Sequence, residues 1–404
     1  MLSDRSVFHA YLAGRASSTF ASTFGTFLIS WIFYDLTGSK TAMGSLFLLS
    51  ILAQIAVQFI VGPYIDRWSR TFVMKLSEII RLITFVMLLV CLLLGLMNPA
   101  FLYIAAFFTS IVIYDAAADA IIPKLVHKNE LVQANAKVSG ITQLIRLIAL
   151  PAGGFLLANF GQMIAVAIVL SFYLFSILLL PLLKENNESP LSKASWLKQF
   201  KAGLEIYKQH KILLVLGSFI ATTSFGVFAA QAMYIPYVTE ILGGTSFGYG
   251  FFAASFPLGY IIGSYMAGKL GVPEKYLYFV MISALFVGGS TYIFLGLTDT
   301  LWLAILIEMV AGIVMPFWNV YSTTIYQRLV PDQILGQVLS VRFLLTKAAT
   351  PIGILYGTFS AAMFNLPFLF LSVGLIICAV TGAGFFLIYR SSRANHNTVL
   401  TIKK

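Results

Sequence analysis

Nine ionisable side chains stand in stretches of sequence that are otherwise apolar: Arg15, Glu78, Arg81, Asp115, Asp119, Arg146, Glu308, Arg342 and Lys347. At the centre of a bilayer each would cost about 2.5–3.5 kcal/mol on insertion scales, so each needs a partner or a task. A carboxyl group that alternates between protonated and ionised forms can carry protons. Burial favours its neutral form and a neighbouring cation its charged form. Glu78 and Arg81 are three residues apart and can pair on one helix face. Asp119 follows Asp115 by four, on the same face and one turn nearer the end of its stretch, close to Pro123. Arg146, Glu308 and Lys347 lie nearer the middle of theirs. The structural alternatives are the ion pairs Asp115–Arg146 and Glu308–Lys347. Gln231, Tyr234, Trp318 and Asn319 are polar groups that could orient a small molecule, or simply pack.

These residues need membrane-spanning helices to hold them. Of 404 residues 59% are hydrophobic and only 10% charged, with a mean hydropathy of +0.90. A soluble domain carries roughly 25% charged residues. Spans of about 20 apolar residues are expected near 9–34, 42–62, 74–96, 99–122, 131–157, 162–183, 212–239, 246–268, 276–297, 300–325, 338–360 and 366–388. Lys and Arg segregate on this map. One set of connections carries Lys40 alone. The other carries Arg67, Arg70, Lys75, Lys124, Lys128, the run from Lys184 to Lys211, Lys269, Lys275 and Arg328, with Arg5 and the basic C-terminal tail. Basic residues are retained on the cytoplasmic side, so both termini are expected there and the number of spans is even. The net charge of +11 follows from topology and calls for no nucleic acid. The N-terminal stretch is read as the first span, being too long for a signal-peptide core. Cys91 and Cys378 fall in apolar runs and the four His are scattered, which argues against a disulfide framework and a metal site.

The expected organisation is an all-α membrane protein with twelve transmembrane helices in two six-helix bundles. Residues 1–183 and 212–389 form the bundles, 184–211 a cytoplasmic linker, and 390–404 a cytoplasmic tail. Trp196, Phe200, Leu204 and Tyr207 recur at helical spacing in the linker, as on an amphipathic helix lying on the inner leaflet. The halves echo each other: KLVHKNELVQ from Lys124 answers RLVPDQILGQ from Arg328. Repeated halves around a midplane site are a transporter plan. Gly259-x-x-x-Gly263 and Gly353-x-x-x-Gly357 are expected at close helix contacts.

After the second span comes Gly62-Pro63-Tyr64-Ile65-Asp66-Arg67-Trp68-Ser69-Arg70. Gly62 permits a tight exit from the membrane, Asp66 can cap a helix or meet a cation, and Arg67 and Arg70 can bridge to acids at nearby helix ends. This segment resembles the G-x-x-x-D-R-x-x-R loop of the major facilitator superfamily. WIFYDLTGSKTAMG from Trp31, Glu78 and Arg81, LVHKNELVQANA from Leu125 and PDQILGQVLS from Pro331 resemble its macrolide-efflux and enterobactin-exporter-like branch of drug:proton antiporters. Two positions depart from it: Leu150-Pro151-Ala152-Gly153-Gly154 stands for G-P-x-x-G-G, and Gln337 for a basic residue.

The resemblance implies proton-driven efflux of a small amphipathic compound, such as a drug, macrolide, peptide or siderophore. It also implies that spans one, four, seven and ten line the central cavity. That points to Arg15, Asp115 and Glu308, with Asp115 and Glu308 as proton-coupling candidates. Arg15, Arg146, Gln231, Tyr234, Trp318, Asn319 and Lys347 are candidates for the cavity. Gly62, Asp66, Arg67, Arg70, Glu78, Arg81, Asp119 and Arg342 are candidates for the cytoplasmic gate. No cofactor is expected beyond the proton-motive force; the expected partners are substrate, protons and bilayer, with the chain working as a monomer in the cell membrane. An importer or lipid flippase on the same fold remains an alternative. A membrane enzyme would need a clustered nucleophile or His–carboxylate set, and a channel a filter-like segment; neither is visible.

Overall fold

The computed structural model describes residues 4–65, 69–111, 114–127, 130–183, 205, 207, 211–270, 272–330 and 332–394. Among these, regular structure is helical. The long helices are α1 (Asp4–Thr37), α2 (Lys40–Ile65), α3 (Arg70–Leu93), α4 (Pro99–Thr109), α5 (Tyr114–Leu125) and α6 (Leu131–Leu179). They continue with α7 (Lys211–Gln231), α8 (Ser246–Lys269), α9 (Glu274–Leu297), α10 (Leu301–Leu329), α11 (Asp332–Met363) and α12 (Leu366–Ala394). Seven helical segments among the described residues are long and apolar enough to cross a membrane.

Local chemistry sets several boundaries. Ser69 caps α3 by accepting from the Phe72 N–H, and Asn98 caps α4 by accepting from Phe101, with Pro99 in the first turn. Gly38, at φ 57°, closes α1 by donating to the Tyr34 carbonyl at 2.8 Å.

Four expected spans differ in detail. The fourth is divided: α4 stops at Thr109, where the Thr109 and Ser110 hydroxyls donate back to the Ala105 and Ala106 carbonyls, and α5 starts at Tyr114. The fifth and sixth run together as α6, bent where Gly161 adopts φ 77°, ψ 178°. The seventh breaks after Gln231 and resumes at Tyr234–Pro236, followed by a π-helical turn, Tyr237–Ile241. Pro236 has no N–H to continue the ladder.

Packing divides the chain into two compact units. The first comprises Met1–Lys193 with Ile235–Ala254; the second, Ala194–Tyr234 with Ser255–Lys404. In the first, α1 lies along α6, and α3 packs on α5 and α6. Its core is aromatic, with Phe20, Phe24, Phe27, Phe33 and Phe85 buried together. In the second, α9 packs on α12 and α7 on α11. The expected glycine contacts are present there. A Cβ at Gly259 or Gly263 would overlap the Met309 or Ile313 carbonyl of α10, and one at Gly353 or Gly357 would overlap Phe225 or Ala229 of α7. Large apolar side chains, among them Leu178, Trp302 and Phe359, remain exposed, as on a surface meant for lipid.

Two expectations near the cytoplasmic connections are revised. Gly62 does not turn the chain: α2 continues through Gly62 and Pro63 to Ile65, while Asp66 and Arg67 lie outside the described residues. In the linker, Tyr207 does not lie on a lipid-facing surface. It is buried in the second unit with its hydroxyl 2.9 Å from that of Tyr326, because a phenol with a partner gains by burying its ring. Trp196, Phe200 and Leu204 lie outside the described residues.

Candidate functional sites

In the first unit, α1 and α5 bring one cation to two acids. Arg15 donates from Nη1 to Asp115 Oδ1 at 2.6 Å and from Nη2 to Asp119 Oδ1 at 3.3 Å. The guanidinium is buried, whereas the two carboxylate side chains are 44% and 64% exposed. The four-residue spacing does place both acids on one face, but their partner is Arg15. Arg146 is exposed and makes no ion pair among the described residues. Asp119, a candidate for the cytoplasmic gate, is likewise engaged by Arg15. Tyr11, one turn before Arg15, donates to the Ala118 carbonyl at 2.9 Å and ties the two helices together.

Glu78 and Arg81 of α3 pair on one face at 3.4 Å, and both are fully enclosed. Ser18 of α1 donates to the same Glu78 oxygen at 2.7 Å. Both arginines stand over the Tyr114 ring, the Arg15 guanidinium carbon 5.5 Å and that of Arg81 6.0 Å from its centroid. The carboxylate therefore turns toward α1 and the bundle interior. Arg70, in the first turn of α3, is the only arginine of the loop motif that is described.

In the second unit, Glu308 of α10 is 3% exposed. It accepts a 2.5 Å hydrogen bond from the Tyr234 hydroxyl. Tyr234 stacks on Phe370 with centroids 6.2 Å apart, and Tyr292 stands beside the pair. Among the described residues Glu308 enters no ion pair. The Lys347 ammonium, the expected alternative partner, lies 5.5 Å from the Phe343 ring centroid.

The remaining candidates divide. Asn319 is half-buried and donates to Tyr260 at 3.2 Å, and Gln231 is exposed. Trp318 is a core residue, 1% exposed and edge-on to Phe219 at 5.8 Å. Arg342 donates to Thr323 and Ser322 of α10, at 3.1 and 3.2 Å, and sits over the Tyr326 ring.

Sequence reasoning passed over Ser18, Tyr114 and Ser176, and an ion pair between Lys40 and Glu240 at 2.7 Å to which Tyr34 adds a hydrogen bond. The isolation of Lys40 among the other connections was the one available signal.

Helices this apolar, with paired charges inside them, are what a polytopic membrane transporter requires. The family model described as Major Facilitator Superfamily matches residues 11–354, and the chain belongs to that superfamily. It is a transporter with membrane-spanning helices. Macrolide efflux protein A of Streptococcus pyogenes is 24% identical over 383 residues, covering 92% of this chain and 93% of the relative. The MFS-type transporter YvqJ of Bacillus subtilis (strain 168) is 23% identical over 384 residues, covering 92% and 90%. A bacterial homologue of the iron transporter ferroportin, solved in an inward-facing state, shares the fold with a TM-score of 0.72. It is 16% identical, over 95% of this chain and 99% of that one.

Proposed function

We propose that this chain is a proton-coupled exporter of a small amphipathic compound, working by alternating access in the cell membrane. The observation that carries the coupling is Glu308. It is a buried carboxyl whose partner is the neutral hydroxyl of Tyr234, so a proton can come and go without breaking an ion pair. Asp115, bound to Arg15, would have to surrender a charged partner first. We assign the coupled proton to Glu308, and to Asp115 the task of answering substrate or proton through Arg15. Each proton entering down the membrane potential releases about 2.3 kcal/mol per 100 mV.

The proposed frame is twelve crossings in two six-helix bundles, residues 1–183 and 212–389, joined by the linker 184–211 with both termini cytoplasmic. Arg15, Arg146, Gln231, Tyr234, Asn319 and Lys347 are the proposed cavity groups, and the chain acts as a monomer. Asp66, Arg67 and Arg70 would latch the cytoplasmic side. The efflux direction and the amphipathic, macrolide-like substrate are supported by the relative named for macrolide efflux.

The test is transport of labelled erythromycin in everted vesicles. Accumulation should collapse with a protonophore and in Glu308→Gln, while erythromycin binding to the purified variant persists. Accumulation indifferent to the protonophore overturns the coupling. Accumulation only in right-side-out vesicles overturns the direction and favours an importer.

A further inference from the structure

Six buried side-chain polar atoms among the described residues lack a hydrogen-bond partner. Five belong to one cluster in the first unit: Glu78 Oε2, Arg81 Nε, Arg15 Nε and the hydroxyls of Tyr114 and Ser176. Their residues are all at least nine-tenths buried. The Ser176 hydroxyl acts on both the Glu78 carboxyl and the Tyr114 hydroxyl without making a full hydrogen bond to either. Leaving a buried polar group unpaired is costly, because its bonds to water are lost and not replaced. Packing alone does not explain five in one place.

Four helices meet at Glu78: Ser18 comes from α1, Arg81 from α3, Tyr114 from α5, and Tyr173 and Ser176 from α6. Arg15 and Tyr11 of α1 act on Tyr114, and Asp115 of α5 acts on Arg81 and Tyr173. Asp119 joins through Arg15, and Arg146 acts on Asp119. Glu78 Oε1 is occupied by Ser18 and Arg81, and Oε2 is the open acceptor. A buried water needs two to four polar partners. Oε2 and the two hydroxyls supply three.

We propose that this cluster is an internal proton site, in which Glu78 binds a proton at Oε2, relayed by water and the Tyr114 and Ser176 hydroxyls from the exposed Asp115–Asp119 face. The step is proton transfer only. An O–H bond of a hydronium ion breaks and one forms at Oε2. Each relaying hydroxyl accepts one proton as it passes on another, and ends neutral. Both guanidinium groups keep theirs. Neutral Glu78 releases Arg81 from its ionic partner, and the Tyr114 ring that both arginines share passes that change to Arg15 and its acids. The site rests on the export reading only for its use in transport; binding of the proton does not depend on it.

The test needs no substrate. Infrared difference spectra of the purified full-length protein are recorded through a pH titration for wild type, Glu78→Gln, Glu308→Gln and Tyr114→Phe. One protonated-carboxyl band should titrate in wild type and in Glu308→Gln and be missing from Glu78→Gln, which keeps only the band of Glu308. In Tyr114→Phe, which keeps every charge, its midpoint should shift. Superimposable wild-type and Glu78→Gln spectra overturn the proposal and leave Glu78–Arg81 a structural pair. Should Glu78→Gln fail to fold, Tyr114→Phe and Ser176→Ala decide: unmoved carboxyl midpoints in both overturn it. If the Glu78 band is present but vesicle transport ignores protonophores, the export reading fails and the proton site stands.

Discussion

Arg15 and Asp115 are a hundred residues apart in the chain and 2.6 Å apart in the structure, with Asp119 completing the clamp one turn further along α5. A buried guanidinium meets two half-exposed carboxylates, so the three are not equal in energy. Arg15→Ala would leave two neighbouring carboxylates without their cation. The cost is well below that of breaking a fully buried pair, because both acids, 44% and 64% exposed, are solvated once the cation is gone. Asp119→Asn disturbs a longer, more exposed contact, for which about 1 kcal/mol or less is expected. Thermal unfolding in detergent should rank the variants Arg15→Ala, then Asp115→Asn, then Asp119→Asn. An Asp119→Asn loss equal to that of Arg15→Ala would contradict the geometry.

Tyr234 holds Glu308 through a single hydroxyl. Tyr234→Phe keeps the stack on Phe370 but removes the donor, at about 1–3 kcal/mol for the acceptor left behind. Proton-driven uptake into everted vesicles should lose most of its pH dependence, as in Glu308→Gln, while the folded yield stays near wild type. An unaltered pH profile in Tyr234→Phe would separate the hydroxyl from coupling.

Lys40 and Glu240 form a partly exposed pair within the first unit, and Tyr34 donates to the same acid. Lys40→Glu should lower stability, and the exchange Lys40→Glu with Glu240→Lys should restore it. A double-mutant cycle is expected to give roughly 0.2–1 kcal/mol. Zero coupling in low salt would mean that the pair contributes nothing.

Gly263 and Gly268 are five residues apart on α8 and should respond oppositely. A Cβ at Gly263 meets the Ile313 backbone, whereas at Gly268 it meets nothing within 4 Å. Gly263→Leu should cost about 1–3 kcal/mol through overpacking, and Gly268→Ala should be neutral or stabilising by roughly 0.5–1 kcal/mol. Melting temperatures of the two purified variants would show it. Equal tolerance would argue against close packing of α8 on α10.

Much of this protein can be read from the chain alone. Apolar length places the helices, because about 20 apolar residues have few alternatives to the membrane. Spacing of four put Asp115 and Asp119 on one face, and spacing of three paired Glu78 with Arg81, because helical periodicity is local. The small-xxx-small motifs announced close contacts that Gly259, Gly263, Gly353 and Gly357 do make. Partners across helices were another matter. Periodicity gives the face of a helix but not its rotation against a neighbour, which side-chain volume around Phe24, Phe85 and the glycines decides. So the chain offers Asp115 a pair with Arg146, and packing gives it Arg15 instead; it offers Trp318 to a cavity, and Phe219 draws it into the core. Gly62 permits a tight exit from the membrane, yet its neighbours carry the helix on to Ile65. The enclosure of Glu78 among unpaired hydroxyls had no signature in sequence at all. Its groups come from α1, α3, α5 and α6, and only their tertiary arrangement brings them together.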